Sequence, residues 1–154
     1  MKQLLLLGAA LAAIPVTALL AQTPAPAPTL TAEQIVAARQ SSFILSGGSF
    51  AAMKAAAEAG ADVRTLTFPA RSLARWARTL PSLFPAGTNL PNSHALPTIW
   101  SDRAGFEARA AAYATAAQAL AEAAQGGDRA AFLTQWAAVR QACSGCHDTY
   151  KGSD

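Results

Sequence analysis

Charged residues are scarce in this chain of 154 residues, at 14% of the total, and the formal net charge is only +3. The few basic residues are too scattered to form the concentrated positive surface of a nucleic-acid-binding protein. No segment resembles a phosphate-binding loop or a dinucleotide-binding fingerprint. These absences argue against functions that depend on binding nucleotides or nucleic acids.

β-Branched residues are also sparse, and no stretch alternates polar and apolar residues as a β-strand does. Hydrophobic residues make up 52% of the chain. Many of them are alanine, the residue that best supports an α-helix. The length suits one domain. The composition therefore predicts an all-α protein whose helices pack with closely spaced axes.

Residues 1–21 have the features of a secretory signal peptide. The start is positive, residues 4–14 lack polar side chains, and small residues suit cleavage after Ala18 or Ala21. An uncleaved membrane anchor is the alternative, but Pro15 and the small residues argue against it. Residues 22–30 then form a proline-rich extended linker, and residues 31–154 form the folded domain.

Four amphipathic helices are predicted in this domain. Thr31 caps the first, which runs to about Gly60, and the second runs from Pro69 to Leu80. Ser101 or Asp102 caps the third, which ends at Gly126-Gly127, and the fourth starts at Asp128. Coiled-coil-like spacing of apolar residues in the last two helices predicts an antiparallel four-helix bundle.

A proline-rich loop separates the second and third helices. Its prolines exclude regular structure up to Trp100. The loop is long for a compact domain, so we expect it to pack on the core. The side chains expected to make that contact are Leu83, Phe84, Ile99 and Trp100.

The chain has only two cysteines, and they belong to the segment Cys143-Ser144-Gly145-Cys146-His147. On a helix, this spacing directs both thiols and the imidazole to one face. The C-x-x-C-H motif is typical of c-type haem attachment, in which the thiols bond to the two vinyl groups and the histidine ligates the iron. The sequence therefore predicts one covalent haem c near the C-terminus of the fourth helix.

Other interpretations of the cysteine pair fit less well. A thioredoxin-type dithiol requires a βαβ setting, and a zinc site requires four ligands, for which His94 is the only further candidate. A disulfide across one helical turn would be strained and would leave His147 without a role. Haem c is attached outside the bacterial cytoplasm, so the predicted signal peptide agrees with the motif and indicates a periplasmic location.

The motif at the end of a four-helix bundle resembles the class II c-type cytochromes, specifically the cytochrome c′ family. The resemblance spans roughly residues 30–151. It rests on four segments in order: Ala38-Arg39-Gln40-Ser41, Phe84-Pro85-Ala86-Gly87-Thr88, Ile99-Trp100-Ser101-Asp102 with Phe106, and residues 143–151, which read CSGCHDTYK.

The resemblance implies roles for four further residues. Phe43 would lie over the open face of the haem, together with Gln40, and Arg39 would pair with a haem propionate. Lys151, where many family members have arginine, would influence the proximal side or interact with the helix C-terminus. Periodicity alone places Phe43 in the core of an amphipathic helix, and leaves Arg39 open as a solvated or helix-pairing charge.

Phenylalanine has no lone pair to donate to iron, so the resemblance implies a five-coordinate, high-spin haem with His147 as its only protein ligand. Such a pocket should bind NO and CO and discriminate against O₂, with electron transfer as a second ability. A dedicated six-coordinate, low-spin electron carrier is the main alternative, with His94 or Met53 as the sixth ligand. A small haem peroxidase or NO-metabolising enzyme fits less well, because Phe43 offers no proton-transferring group. We therefore expect a protein that is not an enzyme.

Partners other than the gas are less defined. The face formed by Arg71, Arg75 and Arg78 is either solvated or a docking patch for an acidic redox partner. The redox partner itself is unidentified. The resemblance also implies a homodimer through the first two helices.

Overall fold

The computed structural model describes residues 29–153. The predicted signal peptide and residues 22–28 of the predicted linker lie outside the described residues, as does Asp154. The described chain contains α1 (Ala32–Glu58), α2 (Thr67–Thr79), the single turn α3 (Thr98–Ser101), α4 (Arg103–Gly126) and α5 (Arg129–Tyr150). Helices α1, α2, α4 and α5 form the predicted antiparallel four-helix bundle, so the all-α prediction is confirmed.

Side-chain caps fix the starts of three long helices. Thr31 and Gln34 form a reciprocal capping box at α1, with bonds of 2.9 and 3.3 Å. Of the two predicted caps for α4, Asp102 is the one used, because its carboxylate accepts from the Gly105 amide. Asp128 caps α5 through two amides. Gly127 ends α4 in the left-handed conformation, at φ 81°.

The second helix and the loop differ from the predictions in detail. Helix α2 begins at Thr67, and Pro69 occupies its third position rather than its first. Proline is tolerated there because the first amides of a helix have no partner within the helix. The loop is less irregular than predicted, since short 3₁₀ turns form at Leu80–Leu83 and Pro91–Ser93, each with a proline in its first two positions.

Alanine-rich packing joins α4 to its neighbours. Helix α4 contacts both α2 and α5 extensively, whereas α1 contacts α2 and α5 at far fewer points. Small side chains let the axes of α2 and α4 approach closely, and α1 is left at a distance that makes room for a cavity. The buried alanines on these two helices are Ala70, Ala74, Ala77, Ala110, Ala117, Ala121 and Ala124.

The loop between α2 and α4 packs on the bundle, as predicted. Phe84 and Ile99 are buried, and Leu83 and Trp100 pack against the core. The loop also forms one antiparallel bridge between Ala95 and Lys151, at the end of α5. None of the helices within residues 29–153 is long and apolar enough to cross a membrane.

Candidate functional site

The predicted attachment residues lie together on the last turns of α5. Cys143 and Cys146 are partly buried and are not joined by a disulfide. Both cysteines and His147 line one cavity, so the expected common face is present. A helix from Arg129 to Tyr150 holds the three side chains at the spacing that the attachment chemistry requires.

The cavity has a volume of about 520 Å³ and a mostly apolar lining. It is bounded by α1, α2, α4, α5 and the loop. This volume falls within the roughly 300–1,000 Å³ typical of cofactor and ligand pockets. Its apolar walls include Phe43, Phe50, Leu73, Trp76, Leu80, Phe84, Ile99, Phe106 and Tyr113.

Helix α1 contributes the wall that carries Phe43. The ring of Phe43 packs edge-on against Trp76, with centroids 5.0 Å apart, and against Phe84 at 6.3 Å. Such edge-to-face contacts hold aromatic rings in a defined orientation. Phe43 thus lines the cavity from α1 while His147 lines it from α5.

Arg39 lies one turn before Phe43 and is almost fully buried, at 1% exposure. Its Nη1 donates to the Leu83 carbonyl and to Thr88 Oγ1, both at 3.1 Å, and its Nη2 donates to the Thr88 carbonyl at 3.2 Å. The guanidinium also lies 4.2 Å from the centre of the Phe84 ring. Burial lowers the pKa of Arg39. The residue therefore holds the loop against α1 and places a positive charge at the cavity wall; propionate pairing stays a prediction.

The loop closes one side of the cavity through contacts with two helices. On α1, Gln40 Nε2 donates to the Asn92 carbonyl at 2.6 Å. At the end of α5, the Leu96 amide donates to the Tyr150 carbonyl and the Gly152 amide donates to the His94 carbonyl. Gln40, His94 and Lys151 all line the cavity. Their predicted roles toward the haem stay predictions.

The two rival sixth ligands differ in position. Met53 is buried in the core and is not among the described residues that line the cavity. His94 does line it, because the loop folds over this end of the bundle. Its backbone is in the left-handed region, at φ 52°, which is uncommon for a non-glycine residue.

Burial is the main cause of the pKa shifts of the two cysteine thiols. It raises the pKa of Cys143, and the neighbouring Cys146 raises it further. Burial also raises the pKa of Cys146, and the positive charge of Arg109 opposes that shift. In the absence of the thioether bonds, both sulfurs are therefore held as protonated thiols at neutral pH.

Arg109 on α4 is a site residue that the sequence did not reveal. It lines the cavity, and a Cβ at Gly145 would approach its Nη1 to 3.3 Å. A glycine inside the C-x-x-C segment thus gives this guanidinium room beside the attachment turn. No local pattern marks Arg109, because its importance arises only where α4 crosses α5.

Tyr150, three residues after His147, fixes the end of α5 to the start of α4. Its hydroxyl donates to Asp102 Oδ2 at 2.7 Å, the same carboxylate group that caps α4. A Cβ at Gly105 would contact Asp102 and would lie 2.6 Å from the Tyr150 hydroxyl oxygen. The absence of a side chain at Gly105 therefore makes this joint possible.

The three arginines of the predicted docking face are all exposed on α2. Arg71 donates to Gln125 at 2.7 Å and Arg78 donates to Gln118 at 3.3 Å, both on α4. This face thus takes part in contacts between helices at the surface. Partner docking there stays a prediction.

These residues fit a covalent haem. The cavity offers two thiols and an imidazole on one side, apolar walls for a macrocycle, and the charge of Arg39 for a carboxylate. Among residues 29–153, no group of three or more His, Cys, Asp or Glu side chains could hold a metal ion. The C-x-x-C-H motif places His147 in the cavity wall as the residue to ligate a haem iron.

Comparison with known proteins agrees with this site. The sequence model described as Cytochrome C' matches residues 34–151. Cytochrome c' of Rubrivivax gelatinosus is 32% identical over 73% of this chain and 90% of its own length. Cytochrome c' of Pararhodospirillum photometricum is 39% identical over 53% of this chain and 66% of its own length.

A solved structure shows the same architecture. It is a ferrous variant of cytochrome c prime from Alcaligenes xylosoxidans with bound NO. Its identity to this chain is 27% and the TM-score is 0.75, over 82% of this chain and 100% of the other.

Proposed function

This chain belongs to the cytochrome c′ family and carries a covalent c-type haem, and we propose that it is a periplasmic protein that binds NO and CO at a five-coordinate, high-spin iron. The observation that carries the proposal is Phe43, which lines the cavity from α1 while His147 lines it from α5. An aromatic ring cannot coordinate iron, so it leaves the sixth position to a small ligand.

The haem supplies the iron at which a diatomic gas binds. The protein supplies the surroundings: Cys143 and Cys146 would hold the macrocycle, and the imidazole of His147 would ligate the iron. Phe43 is held by Trp76 and Phe84, so it crowds the ligand side without offering a hydrogen bond. Bound O₂ depends on a polar donor more than NO or CO does, so we expect discrimination against O₂. The related Alcaligenes protein with bound NO supports this assignment.

Spectroscopy of the purified holoprotein tests the proposal. We expect a high-spin ferric EPR spectrum and optical changes when CO or NO is added to the ferrous protein. A low-spin six-coordinate ferric spectrum, or a ferrous form that does not bind CO, would refute it.

A six-coordinate electron carrier is the second candidate, because His94 lines the cavity. The substitution His94→Ala distinguishes the two. If His94 ligates the iron, the variant converts a low-spin spectrum to a high-spin one. If our proposal is correct, the spectrum of the variant is high-spin like that of the parent protein.

A catalytic role is less well supported. Peroxidase chemistry requires a group that moves protons on the ligand side. Arg39 is the charged residue nearest to Phe43 along α1, and it is held by the loop through three hydrogen bonds. We therefore propose gas binding with electron transfer as a further ability, rather than catalysis. Peroxide turnover well above that of free haem would contradict this.

We further propose a homodimer through α1 and α2. Large apolar side chains are exposed on these helices: Ile44 at 76% and Leu45 at 74% on α1, and Phe68 at 80% on α2. Exposed apolar patches mark protein interfaces, and Ile44 and Leu45 are adjacent on α1. The substitution Leu45→Glu should convert the dimer to a monomer in sedimentation experiments. A parent protein that sediments as a monomer at all concentrations would refute the dimer.

A further inference from the structure

Two adjacent glycines, Gly47 and Gly48, lie in the middle of α1, where glycine weakens a helix relative to alanine. Neither is among the described glycines with positive φ, so the backbone does not require glycine at these positions. A Cβ built at either position would meet no atom within 4 Å, so packing of the chain does not require it either. Neither the backbone conformation nor packing within the chain therefore explains why these two positions lack a side chain.

The two glycines differ in their relation to the cavity. Gly47 lines the cavity, and Gly48 is not among the described lining residues. Gly47 lies one turn after Phe43 on the same face of the helix and three residues before Phe50, which also lines the cavity. Gly47 is also exposed. The α1 wall therefore has a gap between two aromatic residues.

Both aromatic neighbours of the gap are held in place. Phe43 packs edge-on against Trp76 and Phe84. The Phe50 ring stacks on Trp136, with centroids 4.3 Å apart and planes within 5°, and the Trp136 indole donates to the Phe50 carbonyl at 2.9 Å. These contacts keep the two rings from closing the space beside Gly47.

We propose that the missing side chain at Gly47 keeps open the passage by which a diatomic ligand reaches the Phe43 side of the haem cavity. The inference rests on the gas-binding function proposed above. Helix α1 would then carry both Phe43, which crowds the iron, and the gap at Gly47, through which the ligand would enter beside Phe43.

Size-graded substitutions at Gly47 test the passage. Gly47→Ala and Gly47→Leu are made in the holoprotein, and the association and dissociation rates of CO with the ferrous form are measured by flash photolysis and stopped flow. A narrower passage raises the free-energy barrier to both entry and exit of the ligand but does not change the stability of the bound state. Both rates should therefore fall together, modestly for alanine and by about tenfold for leucine, while the Kd for CO stays constant.

Gly48→Ala is the matched control. It changes the same helix in the same way but not the cavity, so its CO rates should equal those of the parent protein. Both alanine variants should melt at a higher temperature than the parent, because alanine favours the helix. This rise shows that slower rates at Gly47 do not come from a damaged fold.

Three results would overturn the inference. CO rates in both Gly47 variants that equal those of the parent protein would show that the ligand enters elsewhere. A lower association rate with an unchanged dissociation rate, and hence a higher Kd, would show that Gly47 makes room for the bound ligand instead. Failure of the parent protein to bind CO would refute gas binding, and the passage with it, before any substitution is made.

Discussion

Arg39 places a buried positive charge in the wall of an apolar cavity, and its contacts link residues far apart in the chain. Its hydrogen bonds reach Leu83 and Thr88, which are 44 and 49 residues away. Thr88 is also buried, and its hydroxyl donates to the Pro85 carbonyl at 2.8 Å while accepting from Arg39. One threonine therefore connects the guanidinium to the loop that carries Phe84.

The substitution Thr88→Val should lower the free energy of unfolding by about 1–3 kcal/mol, because it leaves a buried N–H of the Arg39 guanidinium without its partner. Chemical denaturation of the holoprotein measures the change. Thr115→Val is the control: its hydroxyl bonds the Ala111 carbonyl on an exposed face, so its effect should stay within about 0.5 kcal/mol. Equal effects at the two positions would contradict the role of Thr88.

Both tyrosines of the chain should resist ionisation in the folded protein. Burial raises the pKa of Tyr113 above its ordinary 10.0. The hydrogen bond to Asp102, and then burial, raise the pKa of Tyr150 from the same value. The unfolded chain therefore loses these protons first as pH rises, and stability should fall progressively above about pH 10.

Absorbance of tyrosinate, followed together with helical circular dichroism, checks this prediction. Tyrosinate should form above the ordinary value of 10.0, or together with alkaline unfolding. The variant Tyr113→Phe isolates the signal of Tyr150. Ionisation of both residues near pH 10 with helicity intact would show that the folded structure does not protect them.

At the scale of the elements, the joint between α4 and α5 depends on Gly105. The substitution Gly105→Ala should destabilise the protein by about 1–3 kcal/mol, because the added methyl group would displace Asp102 and Tyr150. Gly126→Ala, at the other end of α4, meets no atom within 4 Å and should be neutral or stabilising by up to about 1 kcal/mol. Thermal unfolding of the two variants provides the comparison, and a stabilised Gly105 variant would contradict the assigned contact.

Helix ends could be predicted because their determinants are local. Thr31, Asp102, Asp128 and Gly127 act on amides and carbonyls within a few residues, and short-range spacing also brought Cys143, Cys146 and His147 to one cavity. The start of α2 was misplaced by two residues, because proline suits any position in the first helical turn and not only the first.

Contacts made across the bundle could not be predicted in the same way. The bridge between Ala95 and Lys151 joins isolated residues, so the sequence has no alternating polar and apolar pattern that would predict it. Arg109 acquires its place beside Gly145 only through the crossing of α4 and α5. The loop bonds of Arg39 depend on where a proline-rich segment returns to the bundle.

For the whole molecule, the helices contact one another to different extents, so we expect the stability of each helix to depend on the haem to a different extent. Helices α2, α4 and α5 contact one another through α4, whereas α1 has few contacts and faces the cavity. In a haem-free Cys143→Ala/Cys146→Ala variant, amide hydrogen exchange should become fast in α1 while α4 keeps much of its protection. The holoprotein is the reference, and uniform loss of protection in all four helices would contradict this difference.

The alanine contact between α2 and α4 also limits how this protein can change over evolution or be redesigned. Buried alanines leave no space for larger side chains, and replacement by glycine would weaken the helices. Most substitutions at these buried alanine positions should therefore be eliminated by selection. Helix α1 has more freedom, so a library that varies Phe43, Gly47 and Phe50 would be the shortest route to variants with new ligand preferences on an unchanged scaffold.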